Sequence, residues 1–455
     1  MVQIYTSNAK KSKKRQDINK TFNVEIATLN QHGEGVAKLE GKVVFVKGAL
    51  PTEKVKIKII DSKKRVASAQ LISISNKSEE RREPFCAHYQ ACGGCQLQHL
   101  THAGQLLYKQ DVVAGLLKKH GWLDKQTSLP WQATIKSKES AYRTRVRLAA
   151  YYDNKSRSVS IGYRQASNKK IVQITQCDIM LPQLSCLIEP LRVLVNRFTN
   201  KQAIGHIDLN AFHCEPEKQD GKPIVNFRFL KPFSQQDLAL LSTFQLQHNV
   251  IITQQIAQNI AVDLNNQAVT LEYYLLGKSI SFSSSDFTQI NKDINQAMVA
   301  QAIDWLDLNK NDEVLDLYCG LGNFSLPIAD KVKRVAGIEG VLDMVDKAQH
   351  NANLNQLTHC HFYHGNLEEG VSIDDTKFNK LLLDPARAGA ENICKTIQAN
   401  NFDLILYVSC NPSSLARDGR LLIEKGYTVA KIGLLDMFPN TSHIETMVLF
   451  KKNTK

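Results

Sequence analysis

Val314-Leu315-Asp316-Leu317-Tyr318-Cys319-Gly320-Leu321-Gly322-Asn323-Phe324 is the stretch that decides the fold. The apolar run from Val314 to Leu317 reads as a buried strand, Gly320-Leu321-Gly322 as a tight turn, and Phe324 onward as the start of a helix. Such a turn lets the backbone approach a ligand at the amino end of the next helix. Glu339 ends the following predicted strand, Val335 to Glu339, nineteen residues past Gly320, where an acid can accept hydrogen bonds from ribose hydroxyls. The third glycine of the dinucleotide fingerprint is missing, because Phe324 and Ser325 stand there. That disfavours NAD and leaves S-adenosylmethionine as the better fit.

Outward from this stretch, strands and helices alternate from Asp293 onward. Asn295 to Leu306 is helical, strands are predicted near Val314, Val335, Cys360, Leu381, Leu404, Val429 and Met447, and helices from Phe324, Leu342, Asn392 and Ser413. Seven strands threaded by helices predict a doubly wound, Rossmann-like α/β sheet, whose ligands sit at the carboxyl edge. The run Leu404 to Val408 ends in Ser409-Cys410-Asn411-Pro412, which places the Cys410 thiol at that edge as a candidate nucleophile, a small core residue being the plainer reading. Asp384-Pro385-Ala386-Arg387 closes the strand Leu381 to Leu383 and brings a carboxylate there, if it is not simply a helix cap. Ser442-His443-Ile444-Glu445 runs into the apolar strand Met447 to Phe450, so Glu445 can face the cleft of Cys410 or stand on the surface.

The amino-terminal half reads differently. Lys10, Lys11, Lys13, Lys14 and Arg15 belong to a basic arm, residues 1–16, expected to be disordered. From Thr21 to Ile74, short alternating runs between glycine turns predict a small closed barrel of the OB type. Lys54, Lys56 and Lys58 alternate with Val55, Ile57 and Ile59, giving one apolar face and one row of ammonium groups. His99 to Trp122 has helical spacing, and 214–223 reads as a surface loop. Arg143, Arg145 and Arg147 project from one side of a strand, a geometry suited to phosphate contacts or to an exposed charged face.

The chain has 455 residues, too many for one core, and 57 Lys and Arg against 44 Asp and Glu, a formal charge of +13 that favours a polyanionic partner. No apolar stretch suits a secretory signal or a membrane span, so a soluble cytoplasmic protein is expected, with no membrane and no obligate protein partner. Ten cysteines in that compartment point to metal ligation or catalysis for those that cluster. Cys86, Cys92 and Cys95 cluster, and Cys177 is a remote fourth. An iron–sulfur cluster and a zinc site would use the same four thiolates, and spacing does not choose between them.

Five motifs resemble those of the RNA uracil-C5 methyltransferases: Cys86-x5-Cys92-x2-Cys95, Asp316 to Phe324, Asp384-Pro385-x-Arg387-x-Gly389, Ser409-Cys410-Asn411-Pro412, and Asp436-Met437-Phe438-Pro439-x-Thr441-x-His443-x-Glu445. The resemblance covers nearly the whole chain. It implies a TRAM domain of OB type over 17–78, a central α+β domain over 79–274 with a [4Fe-4S] cluster on Cys86, Cys92, Cys95 and Cys177, and a methyltransferase domain over 275–455. The helix over 99–122 is expected to pack against the catalytic domain. The resemblance further implies that S-adenosylmethionine is bound by Gln289, Tyr318, Asn323, Glu339, Asn366 and Asp384, that Cys410 attacks C6 of uracil, and that Glu445 removes the C5 proton. Within the family it resembles, a tRNA-acting relative lacks the cluster and another rRNA-acting relative lacks the TRAM domain. A chain with both is expected to act on 23S rRNA, the tRNA T-loop uridine being the alternative target and a non-catalytic RNA-binding protein the alternative class. One departure stands out: Ser284 and Ser285 replace the Pro and basic residue that relatives often carry ahead of Phe287, which withdraws a local source of stiffness from the loop of Gln289.

Overall fold

The computed structural model describes residues 18–122, 128–166, 168, 170–211, 221–255, 261–370, 377–398 and 401–453. The expected arm over 1–16 and most of the loop over 214–223 lie outside them. The chain divides into two compact units. One comprises the residues up to Phe85 with Cys95–Tyr108 and Asn440–Ser442, the other Cys86–Gly94, Lys109–Pro439 and His443 onward.

In the first unit, six strands form one sheet: β1 (Thr21–Glu25), β2 (Thr28–Leu29), β3 (Gly35–Leu39), β4 (Lys42–Val46), β5 (Lys54–Ser62) and β6 (Val66–Asn76), in the order β1-β5-β6-β4-β3-β2. The period-two pattern of β5 sends Val55, Ile57 and Ile59 into a core shared with Ile26, Val44 and Val46. Lys54 and Lys56 are exposed on the other face and Lys58 half-buried. Across the β1–β5 ladder these lysines face Glu25, Asn23 and Thr21, so only one of the three has an acid opposite. Helix α1 (His102–Lys119) is shorter than the span predicted from spacing, because Gly121 turns the chain with φ of +72°.

In the second unit a mixed sheet is built from β7 (Arg145–Asp153), β8 (Ser158–Arg164), β9 (Ile171–Gln173), β10 (Ile204–Asn210), β11 (Ile224–Phe229) and β12 (Ile251–Gln255), in the order β12-β11-β10-β7-β8-β9. Between these strands come α2 (Pro182–Ser185), α3 (Ile188–Val195) and α4 (Gln235–His248), the last capped by Ser234 accepting from the Asp237 N–H. Leu148, Ile161, Leu191, Phe227 and Leu241 share the resulting core. A hairpin follows, β13 (Leu271–Leu275) and β14 (Lys278–Phe282), whose Leu271, Leu275, Ile280 and Phe282 are buried in the core of the carboxyl-terminal sheet. The boundary expected between 274 and 275 therefore falls inside β13.

After α5 (Lys292–Trp305) come β15 (Glu313–Leu317), α6 (Ser325–Ala329), β16 (Arg334–Glu339), α7 (Leu342–Leu354), β17 (Cys360–His364), β18 (Lys380–Leu383), α8 (Glu391–Thr396), β19 (Leu404–Ser409), α9 (Pro412–Glu424), β20 (Tyr427–Leu435) and β21 (Glu445–Lys452). The seven predicted strands are all present, in the order β17-β16-β15-β18-β19-β21-β20. Pairing is parallel except at β21, antiparallel to both its neighbours. The chain winds outward from β15 through β17 and then restarts at β18, so the switch point lies between β15 and β18. Ligands of doubly wound sheets bind at such a point, beyond the carboxyl ends of the strands. No helix of the described residues is long and apolar enough to cross a membrane.

Candidate active site

The turn after β15 depends on backbone conformations that most side chains avoid. Tyr318, Gly320 and Gly322 have φ of +66°, +54° and +91°, and a Cβ on Gly322 would meet Leu326 Cγ at 2.9 Å. Glu339, at the end of β16, accepts from the Gly320 N–H at 3.1 Å and the Val341 N–H at 3.0 Å, one bond to each carboxylate oxygen. It thus fixes the turn while keeping lone pairs for a ligand. Asp316 is buried, accepts from the Ser325 hydroxyl through one oxygen, and has no partner for the other. Burial first, then the neighbouring Asp384 and Glu339, pushes its carboxyl up to about 7.

The remaining residues expected to hold the cofactor differ in their surroundings. Asn323 exchanges two amide hydrogen bonds with Asn295, at 2.9 and 3.0 Å, and accepts a third from Tyr273, so three of its four hydrogen-bonding positions are filled by protein. Asn366 is exposed after β17, where it bonds Glu369 and the Glu368 N–H, and lines a cavity of about 730 Å3 with Arg334, Tyr363 and Phe378. Gln289, Tyr318, Asn323, Glu339 and Asp384 are not in that lining, although its Ile338 accepts from the Tyr318 N–H and its Gly365 donates to the Glu339 carbonyl. Gln289 is half-buried in the loop between β14 and α5, beside Thr288, whose buried hydroxyl has no partner.

Strand register brings the reactive groups together. The β19–β21 ladder pairs Ser409 with Thr446, so Cys410 and Glu445 are the next residues outward along that pair. In the parallel β18–β19 ladder Leu383 faces Tyr407, which sets Asp384 at the same edge. Cys410 sits in a turn held by the Ser409 hydroxyl, which accepts from the Asn411 N–H at 3.1 Å, and by Asn411, which caps α9 by accepting from the Ser413 N–H. Burial pushes the Cys410 thiol up to about 11; Glu445 and Asp384 add to the rise and Arg387 opposes it. Glu445 is buried, and burial together with Asp384 raises its carboxyl well above the ordinary range. Burial raises Asp384 itself to about 7. His443 is exposed, lies 3.4 Å through Nδ1 from Arg387 Nη2, and packs near the Phe438 ring.

Sequence reasoning missed what holds the Arg387 loop. Asp418, buried on α9, accepts from the Ala390 N–H and the Tyr407 hydroxyl, both at 2.6 Å, while Arg417 and Asn411 donate to the carbonyls of Ala388 and Arg387 at 2.8 Å. The signal was present: Asp418 shares helical spacing with the buried Leu415 and Leu422. The arginine row also resolves. Arg145 is turned onto the carbonyls of Ser284 and Asp286, Arg147 pairs with Asp208 at 2.6 and 3.0 Å, and Arg143 donates to the Arg145 carbonyl. All three guanidinium groups engage protein.

Cys86, Cys92 and Cys177 feel one another electrostatically, and burial raises each thiol, Cys177 to about 11. Backbone N–H groups aim at all three sulfurs: His88 and Tyr89 at Cys86, Gly94 at Cys92 at 3.3 Å, Ile179 and Met180 at Cys177. Cys95 is half-buried in the first unit. Among the described residues no group of three or more His, Cys, Asp or Glu stands in a geometry that could hold a metal ion.

Comparison with known proteins bears on the whole chain. The family model for tRNA (uracil-5-)-methyltransferase matches residues 108–453, and that for the TRAM domain matches residues 15–72. The chain is 40% identical over 447 residues to the 23S rRNA (uracil(1939)-C(5))-methyltransferase RlmD of Aliivibrio fischeri, covering 97% of this chain and 99% of that one. It is likewise 40% identical over 443 residues to the protein of the same name in Vibrio vulnificus, with 97% and 98% covered. The fold is similar to that of the Pyrococcus abyssi tRNA (uracil-54, C5)-methyltransferase in complex with S-adenosyl-L-homocysteine, with a TM-score of 0.71 at 22% identity over 94% of this chain and 100% of that one. With a glycine turn and a thiol–carboxylate pair at one sheet edge, and a family match spanning most of its length, the chain belongs to the tRNA (uracil-5-)-methyltransferase family, S-adenosylmethionine-dependent enzymes that methylate C5 of uracil in RNA.

Proposed function

We propose that this enzyme methylates C5 of one uridine in 23S rRNA through a covalent intermediate on Cys410, with Glu445 as the base. The observation that supports this reading is the register of β19 against β21, which sets a thiol and a buried carboxylate side by side at the carboxyl end of β19. Two relatives named for 23S rRNA, 40% identical over nearly their whole length, support the substrate.

C5 of uracil is a weak nucleophile. The Cys410 thiolate adds to C6, and the electrons of the C5–C6 double bond move onto C5 and O4. S-adenosylmethionine supplies an electrophilic methyl whose donor leaves as a neutral thioether. The residues present fit that group: Asp316 has a buried oxygen and Thr288 a buried hydroxyl without partners, and the raised carboxyls of Asp316 and Asp384 gain by the approach of a cation. Gln289, Tyr318, Asn323, Glu339, Asn366 and Asp384 would hold it. When C5 carries both methyl and proton, Glu445 takes the proton, the C5–H electrons restore the double bond, and the Cys410 thiolate departs. The target base must leave its stack to reach the thiol, which is cheapest in a loop or single strand.

Cys86, Cys92, Cys95 and Cys177 are proposed to hold a [4Fe-4S] cluster. Amide donors on three of the sulfurs suit thiolate ligands, and with all four thiolates engaged such a group would serve structure and RNA binding. Iron and sulfide analysis of anaerobically purified wild type and Cys177→Ala tests it, with loss of both expected in the variant.

Tritium release from 5-tritiated uridine in 23S rRNA tests the reaction. The wild type is expected to release it and folded Cys410→Ala is not; undiminished release by the variant overturns the covalent step. Glu445→Gln is expected to accumulate a protein–RNA adduct that survives denaturing electrophoresis. A deletion strain should lose 5-methyluridine from 23S rRNA, and its loss from the tRNA T-loop instead would reassign the substrate.

A further inference from the structure

We propose that Asn351, Lys347 and Arg145 are positioning residues for the cofactor cleft, fixing the backbone that carries Gln289 against the Gly320–Gly322 turn. The proposal rests on the assignment of Gln289 to the cofactor site given above.

Asn351 is fully buried on α7. Its Oδ1 accepts from the Ser281 N–H at 2.8 Å, and its Nδ2 donates to the carbonyls of Ser281 at 3.1 Å and Leu321 at 3.2 Å. One carboxamide therefore bonds β14 as a neighbouring strand would and also grips the middle residue of the glycine turn. Lys347 stands one helical turn earlier and donates to both carboxylate oxygens of Asp286 at 2.9 Å. Asp286 closes the loop on itself, accepting from the Ser283 N–H at 2.7 Å through its side chain and donating its own N–H to the Ser283 carbonyl at 2.9 Å. From β7, Arg145 donates to the carbonyls of Ser284, at 2.7 Å, and Asp286, and the adjacent Thr144 N–H donates to the Ile290 carbonyl at 2.8 Å.

These bonds bracket Phe287-Thr288-Gln289. The sequence of the loop supplies no proline, so stiffness comes from side chains reaching in from two other elements. Asn351 does more than stiffen: a shift of β14 relative to the turn breaks one of its bonds. Neither Asn351 nor Arg145 needs to touch the cofactor for its loss to be felt, because each acts through the backbone of the groups that do.

The test uses full-length enzyme, with S-adenosylhomocysteine affinity by calorimetry, KM for S-adenosylmethionine, kcat at saturation and Tm. Asn355→Ala is the control, since Asn355 bonds the same hairpin at Ser279, two residues farther from the loop. Asn351→Ala and Arg145→Lys are expected to weaken S-adenosylhomocysteine binding about tenfold and to raise KM in proportion, because each removes hydrogen bonds to buried carbonyls. Asn355→Ala should lower Tm and leave the affinity within about twofold of wild type. If Asn351→Ala does not fold, Arg145→Lys and Lys347→Met carry the comparison. Unchanged affinity in the variants at lowered Tm overturns the proposal, as does an equal loss in Asn355→Ala, either of which reduces these residues to hairpin fasteners. Wild type that binds no S-adenosylhomocysteine would instead overturn the cofactor assignment itself.

Discussion

At the scale of the residue, the proposed chemistry turns on two acids held where they do not readily ionise. The Cys410 thiol, raised by burial and by Glu445 and Asp384, has one cationic neighbour acting against that rise, Arg387. Arg387→Gln should therefore move its pKa higher still, and the rate of Cys410 alkylation at a fixed pH near 8 should fall, as a pH series of iodoacetamide labelling would show. Glu445 carries a second, opposite consequence. Its folded-state pKa lies above its unfolded value, so between the two the unfolded chain has lost a proton the folded chain keeps, and stability falls as pH rises through that window. Glu445→Gln should melt at a higher temperature than wild type at pH 8, with the difference shrinking as the pH falls towards about 4.5 and levelling off below it. Types and places of these residues were legible in the sequence, because strand ends and Pro-marked turns announce themselves. Their mutual register was not, since nothing in Glu445 itself says which strand lies beside it.

Elements tell the same story one level up. Every strand of the carboxyl-terminal sheet was predicted to within a few residues, and the central parallel strands β15, β18 and β19 most plainly, because buried parallel strands are written as near-continuous apolar runs. The arginine row shows the limit of such reading: β7 begins at Arg145, so alternation placed Arg145 and Arg147 on one strand while Arg143 lies ahead of it, and what meets Arg145 and Arg147 was set by the loop over 283–291 and by Asp208, distant in sequence. Two element contacts yield predictions. Lys109 of α1, buried, donates to Asp436 at 3.1 Å and to the Phe438 carbonyl at 3.0 Å. Lys109→Met leaves Asp436 buried without its counter-charge and should cost about 3–5 kcal/mol in urea unfolding, most of it recovered in Lys109→Met/Asp436→Leu. Gly419 of α9 makes room for a ring, since a Cβ there would meet Trp122 Cζ2 at 2.0 Å. Gly419→Ala should destabilise by about 1–3 kcal/mol despite the better helix propensity of alanine, and Trp122→Leu in the same chain should return part of the loss.

For the whole molecule, the formal charge of +13 sets the terms of encounter with RNA. The exposed Lys54 and Lys56 with Lys58 lie in the stretch matched by the TRAM model, on the face turned away from its core. If all three meet phosphates, replacing them by alanine should lower the slope of log affinity against log salt by about 2, at about 0.7 for each phosphate on a single strand. A salt titration of 23S rRNA fragment binding measures that slope, and an unchanged value removes these lysines from the interface. The alternating strands of the first unit and the doubly wound sheet could both be foreseen, since each has its own hydrophobic period. The division into two units could not, because it depends on Cys95–Tyr108 and Asn440–Ser442 leaving their neighbours in sequence to join the first unit.

Strand β21 is made after both β19 and β20 yet lies between them. On the ribosome, the stretch bearing the proposed nucleophile emerges ahead of the proposed base, and two unpaired sheet edges wait for the strand that will bridge them. A chain interrupted before residue 445 would thus expose sticky backbone to aggregation or proteolysis. On the proposed mechanism, RNA bonded to Cys410 in such a fragment would have no base to release it.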